Sequence, residues 1–219
     1  MSPANVQHGL VLTPRDHALL DTLAHRIRVL TLDQVGNTWF LPSANSAGLA
    51  RRRLGRLRLA GYVEQFRMFA RPIIALSGPV LAWHPGLPEP DYRSLSRQLI
   101  RRWTQPAIPT RMVMASRQTG NLLGGHGGRR PRASEATHDV CMAGVYLTML
   151  DRDPSIRRFW LSEARLRQLG YGDGVFLPDA MIVSGESRTV IEFGGSYSHG
   201  KVARFHESCA DEALPYEIW

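Results

Sequence analysis

Leu19, Leu20, Leu23, Ile27 and Leu30 recur at the spacing of one helical face. Thr13-Pro14-Arg15-Asp16 precedes that run. Thr13 is placed to cap a helix and Pro14 to open it, because the first turn needs no proline N–H. Thr31 marks a second cap, opening a short helix through Val35 and Trp39. After a Pro-, Ser- and Asn-rich turn, a third helical pattern spans residues 47–60, with Ala50, Leu54 and Leu57 as its apolar side and Gly61 at the stop. Two strand-like runs follow, 62–66 and 72–76, joined by a basic connection containing Arg67 and Arg71.

Residues 77–91 are rich in Pro and Gly and read as a connector. A helix is expected over 95–103, a strand over 110–115 and a short helix over 117–123. The run Gly124-Gly125-His126-Gly127-Gly128-Arg129-Arg130-Pro131-Arg132 lacks the Gly-Lys-Ser/Thr of a phosphate-binding loop, so it reads as a mobile basic linker. From Ser134 the pattern changes. The chain then predicts a helix to residue 150, strands at 158–161, 175–183 and 189–193, a helix over 200–212 and a last strand at 216–219.

This order divides the 219 residues into 1–80, a connector 81–133, and 134–219. Three helices and a strand pair are the order of a winged helix-turn-helix. The later part has the order α-β-β-β-α-β, so the fold class is α+β with an α/β-type second domain. With 43% hydrophobic residues there is enough apolar surface for a core. Two cysteines make no disulfide framework, and no signal peptide or bilayer-length apolar run is present. The expectation is a cytoplasmic protein without a membrane partner.

Charge sharpens this picture. The net +8 hides +13 over residues 1–132 and −5 over residues 133–219. Arg51, Arg52, Arg53, Arg56 and Arg58 crowd the third helix without a single acid. Guanidinium forks on such a helix can pair with guanine edges and phosphates in a major groove. Arg67 and Arg71 are expected to reach the backbone from the wing. Double-stranded DNA is therefore the expected partner, and a homodimer is compatible with it.

In the acidic part, Asp179 follows Pro178 within an apolar run, and Glu192 ends the next one 13 residues on. Charges in strand interiors are costly unless paired or bound to a cation. Neighbouring antiparallel strands would bring these two together as oxygen ligands for Mg²⁺. Pro178-Asp179 followed by Ile191-Glu192-Phe193, in this element order, resembles the PD-(D/E)XK nuclease-like, or restriction-endonuclease-like, fold over residues 134–219. The resemblance implies Asp179 and Glu192 as catalytic metal ligands, with an acid from the preceding helix, Glu135 or Asp139, completing the metal set. It also implies a lysine two positions after the Glu. Gly194 stands there, so Lys201, the only lysine in the chain, is expected as a migrated lysine. Leu12-Thr13-Pro14-Arg15-Asp16 and Arg53-Leu54-Gly55-Arg56-Leu57, with the motifs around Asp179 and Glu192, resemble replication-relaxation proteins of plasmids and other mobile elements.

Two readings of activity follow. In the first, a winged helix docks on duplex DNA and a Mg²⁺-dependent nuclease domain cuts phosphodiesters. In the second, the nuclease-like domain is non-catalytic and the chain is a transcription or replication regulator. His138/Cys141 and His206/Cys209 share a spacing that a zinc site could use, but in the nuclease-like order these helices cover opposite faces of the sheet, so two separate helix faces with small buried cysteines are the expected reading.

Overall fold

The computed structural model describes residues 10–173 and 176–219. In chain order the elements are α1 (Pro14–Asp21), a π-helical turn (Thr22–Arg26), β1 (Leu30–Thr31), α2 (Leu32–Trp39), α3 (Ser46–Leu59), β2 (Val63–Ala70), β3 (Leu81–Trp83), α4 (Tyr92–Arg101), β4 (Ile108–Ala115) and α5 (Arg117–Leu123). There follow α6 (Ala136–Arg152), α7 (Ile156–Phe159), β5 (Trp160–Ser162), α8 (Glu163–Gln168), β6 (Ala180–Ser184), β7 (Ser187–Glu192), α9 (His199–Asp211) and β8 (Tyr216–Ile218). The protein is a mixed α+β chain.

The chain forms two compact units that are interleaved in sequence: residues 1–68 with 109–132, and residues 69–108 with 133–219. The expected connector 81–133 is thus shared between the two. Redrawn on these units, the charge is +10 on the first, with 14 arginines against four acids, and −2 on the second.

In the first unit both threonine caps form, each as a reciprocal capping box: Thr13 with Asp16, and Thr31 with Gln34. Leu19, Leu20, Val35, Leu54, Leu57 and Val113 are buried, and each contributes roughly 1.5–3 kcal/mol by leaving water. Gly61 ends α3 with φ +80°, a conformation in which a side chain would be strained.

The three-stranded sheet has the order β1-β4-β2. The partner of β2 is therefore β4, and not the run 72–76 expected from the sequence. That run is extended but lies outside any strand, and it belongs to the second unit. There the Arg71 N–H donates to Thr137 Oγ1 at 3.0 Å, and an Arg152 guanidinium nitrogen donates to the Ser77 carbonyl. Six extended residues and fifteen helical ones each span about 20 Å, so the segment runs the length of α6.

The glycine-rich run is also a correction. It is docked by backbone hydrogen bonds instead of lying free. The His126 N–H donates to the Ala24 carbonyl at 2.7 Å and the Gly128 N–H to that of Ala115 at 2.9 Å. A β-carbon on Gly127 would stand 2.2 Å from the Ser116 carbonyl oxygen, so only glycine permits this approach.

The second unit carries a five-stranded sheet of order β3-β8-β7-β6-β5. β5, β6 and β7 run antiparallel in sequence, β8 joins β7 in parallel, and β3 closes the far edge antiparallel to β8. Leu99, Val190, Phe205, Tyr216 and Ile218 form the centre of one core cluster. β7 lies inside the sheet, so Val190, Ile191 and Glu192 are all buried. The strand expected at 175–183 is shorter, starting at Ala180, and Val175 lies outside the described residues. The strand expected at 158–161 splits into α7 and β5. No helix among the described residues is long and apolar enough to cross a membrane.

Candidate functional site

Two clusters of charged side chains stand out, one in each unit. In the first unit, α3 turns Ala50, Leu54 and Leu57 inward. At 100° per residue, Arg52 and Arg56 fall opposite that stripe, and both are exposed, as are Arg51 and Arg58 on the flank. Arg67 is exposed on β2 itself, because the strand runs on to Ala70.

Two of the seven expected DNA-contacting arginines are engaged elsewhere. Arg53 Nε donates to Asp16 Oδ1 at 2.9 Å, its Nη2 to Asp16 Oδ2 at 2.5 Å, and the same Nη2 to the Val11 carbonyl at 2.8 Å. Asp16 is only 1% exposed. Burial alone would raise its pKa, but Arg53 and Thr13 outweigh that and hold it at about 2. Arg71 is in the second unit, with its guanidinium 5.2 Å from the Trp103 ring centroid, because its strand does not form.

In the second unit, Ala180 pairs with Ile191, which sets Asp179 beside Glu192 as the strand spacing predicts. The Asp179 N–H lies 3.3 Å from Glu192 Oε2. Asp179 Oδ2 accepts from the Phe193 N–H at 2.8 Å and lies 2.9 Å from His138 Nε2. The other ring nitrogen of His138 is 3.7 Å from Asp139 Oδ1, so this imidazole bridges two acids. The Tyr197 hydroxyl donates to Glu192 Oε1 at 2.5 Å.

Burial, then the neighbouring Asp179 charge, push the Glu192 carboxyl well above its ordinary range. Burial would lower the His138 pKa, but the charges of Asp179 and Asp139 outweigh it and raise it. Glu192 is thus favoured in its protonated form and His138 in its charged form.

These contacts bear on the expected Mg²⁺ ligands. Asp179 Oδ2 and both Glu192 oxygens already have protein partners. Glu135 occupies the N-cap position of α6, with no side-chain capping bond. Among the described residues no group of three or more His, Cys, Asp or Glu is arranged to hold a metal ion.

Lys201 lies on the exposed first turn of α9, and its Nζ is 3.5 Å from the Tyr197 ring centroid instead of bonding either carboxylate. The position of the usual lysine is closed as well. A β-carbon on Gly194 would come within 2.7 Å of Leu99 Cδ2 and Ile218 Cγ2, both in the core. The two His/Cys pairs form no common site: His206 Nδ1 lies 3.0 Å from the Tyr216 hydroxyl, while His138 serves the acids.

Sequence reasoning missed His138 as the partner of Asp179, Tyr197 as that of Glu192, and Asp16 as that of Arg53. The adjacency of His138 to Asp139 was the one local signal for the first. No family model, no curated protein and no solved structure matches this chain.

Proposed function

We propose that the chain binds double-stranded DNA through its first unit, with α3 as a recognition helix in the major groove and the β2–β4 pair as a wing. The observation that carries this reading is the outward face of α3, where Arg52 and Arg56 stand one turn apart on a unit of net charge +10. Paired guanidinium groups can read guanine edges, while Arg51, Arg58 and Arg67 supply phosphate contacts that fix register. A regulator of transcription or replication fits this reading, as does the mobile-element setting that the replication-relaxation resemblance implies.

In this reading the second unit is nuclease-like in element order but non-catalytic. His138 and Tyr197 engage the two carboxylates, and Gly194 leaves no room for a lysine. A metal-dependent nuclease remains the second reading. It is favoured by the β5-β6-β7 meander with parallel β8 and by the placing of Asp179 next to Glu192.

One assay separates them. The purified chain is incubated with supercoiled plasmid and with linear duplex, in Mg²⁺, Mn²⁺ or EDTA. The expected result is retarded and intact DNA under all three conditions. Absence of retardation would overturn the binding reading. Metal-dependent nicking that disappears in Asp179→Ala and Glu192→Ala would establish the nuclease instead.

A further inference from the structure

We infer that the Asp16–Arg53 pair is a positioning device for DNA recognition: it sets the roll of α3 and so aims Arg52 and Arg56. The inference rests on the duplex-binding reading above and names the part of the fold that gives it specificity.

The apolar side of α3 is a stripe of Ala50, Leu54 and Leu57, and near its start the helix lies close against Gly36 of α2. Neither contact reaches the flank that carries Arg53. The N-cap residue, Asn45, makes no side-chain capping bond. With side chains a helix has a radius of about 5–6 Å, so a 20° roll moves an outward group by about 2 Å. Recognition geometry tolerates about 0.5 Å and 10–20°.

Arg53 adds a directional constraint on that flank. Its planar fork meets Asp16 through two donors on two different oxygens, and one of these donors also reaches the Val11 carbonyl. The anchor itself is held. Thr13 N–H and Thr13 Oγ1 each donate to Asp16 Oδ2 at 2.7 Å, and the Asp16 N–H returns a bond to Thr13 Oγ1 at 3.3 Å. The rigid first turn of α1 thus grips one flank of α3. Arg52 precedes the gripped residue by one position, and Arg56 follows it by three.

The experiment uses the full chain and two duplexes: one enriched from a random-sequence pool on the wild-type protein, and a scrambled version of it. Four variants are compared: Asp16→Asn, Arg53→Lys, Arg52→Ala, and Asp16→Asn combined with Arg52→Ala. Asp16→Asn is expected to lower the preference for the enriched duplex by at least about tenfold while scrambled-duplex binding stays near wild type. Adding Arg52→Ala to it should then cost little more, because Arg52 is already misaimed.

A protein that was merely part-unfolded would lose both duplexes equally, so preference distinguishes aiming from stability. If Asp16→Asn melts under assay conditions, Arg53→Lys is read in the same way, since it keeps both charges and loses only the fork. A folded variant with wild-type preference, or full additivity with Arg52→Ala, overturns the inference. If the wild-type chain retards neither duplex, the duplex-binding reading fails, and the positioning role fails with it.

Discussion

The two units each bury carboxylates, and the outcomes are opposite. In the first, Asp16 meets an arginine whose geometry matches it, and the acid is held ionised with a pKa of about 2. In the second, burial and then the charge of Asp179 push the Glu192 carboxyl upward, and the Tyr197 hydroxyl offsets only part of that. Both side chains are hidden from water, at 1% and 7% exposure. What differs is compensation: at Asp16 a guanidinium fork and Thr13 outweigh the cost of burial, whereas at Glu192 a neighbouring acid adds to it.

The largest expected effect on this comparison comes from removing one partner of the fixed pair. Asp16→Ala leaves Arg53 without its acceptor and removes the α1 capping box. It should destabilise the first unit by about 3 kcal/mol, the lower end for a broken buried pair because Arg53 is partly exposed. Urea unfolding followed by signals from that unit measures it. A cost below about 1 kcal/mol, the range of exposed pairs, would remove the distinction between the two units.

Next comes an attempt to give the acid pair a basic partner. Gly194→Lys should fail to restore a nuclease lysine, because Leu99 and Ile218 occupy the space that its side chain would enter. Overpacking of this kind costs about 1–3 kcal/mol, read as a lower thermal midpoint of the second unit. A variant of unchanged stability that gained Mg²⁺-dependent cleavage would show that the acid pair needs only a lysine.

The mildest perturbation is pH. The depressed Asp16 contributes stability that is present above the ordinary aspartate pKa of 3.8 and is lost as pH falls toward about 2. Glu192 and His138 have the other sign. Their raised native pKa values mean that the folded state binds more protons than the unfolded one, so stability falls as pH rises above the ordinary values of 4.5 and 6.5. NMR signals of each unit at fixed urea, followed from pH 3 to pH 9, should show the first unit weakening in acid and the second toward alkali. Parallel profiles would contradict the assignment of the two carboxylate environments.

Much of the local structure was legible in the sequence. Thr13, Pro14, Thr31 and Gly61 mark helix ends by local chemistry, and the structure uses all four for that purpose. The adjacency of Asp179 and Glu192 also follows from strand spacing alone. What could not be read was long-range choice. The runs 72–76 and 110–115 both look like strands, and only the completed fold shows that β4 pairs with β2 while the nearer run lies along α6. Glycine posed the same difficulty. Residues 124–128 look mobile by composition, yet Gly127 is required for a close approach to the Ser116 carbonyl. The site partners were hidden for a related reason: Asp16 and Arg53 are 37 residues apart, and His138 and Asp179 are 41 apart.

The central claim is that the first unit grips duplex DNA through the outward face of α3. It is tested most directly by the salt dependence of binding for wild type and for the double variant Arg52→Ala, Arg56→Ala. The account predicts weaker binding, by about 1–3 kcal/mol for each guanidinium that pairs with a base edge, and a shallower slope of log affinity against log salt for each that neutralises a phosphate. Affinity and slope both equal to wild type, in a protein that remains folded, would contradict it.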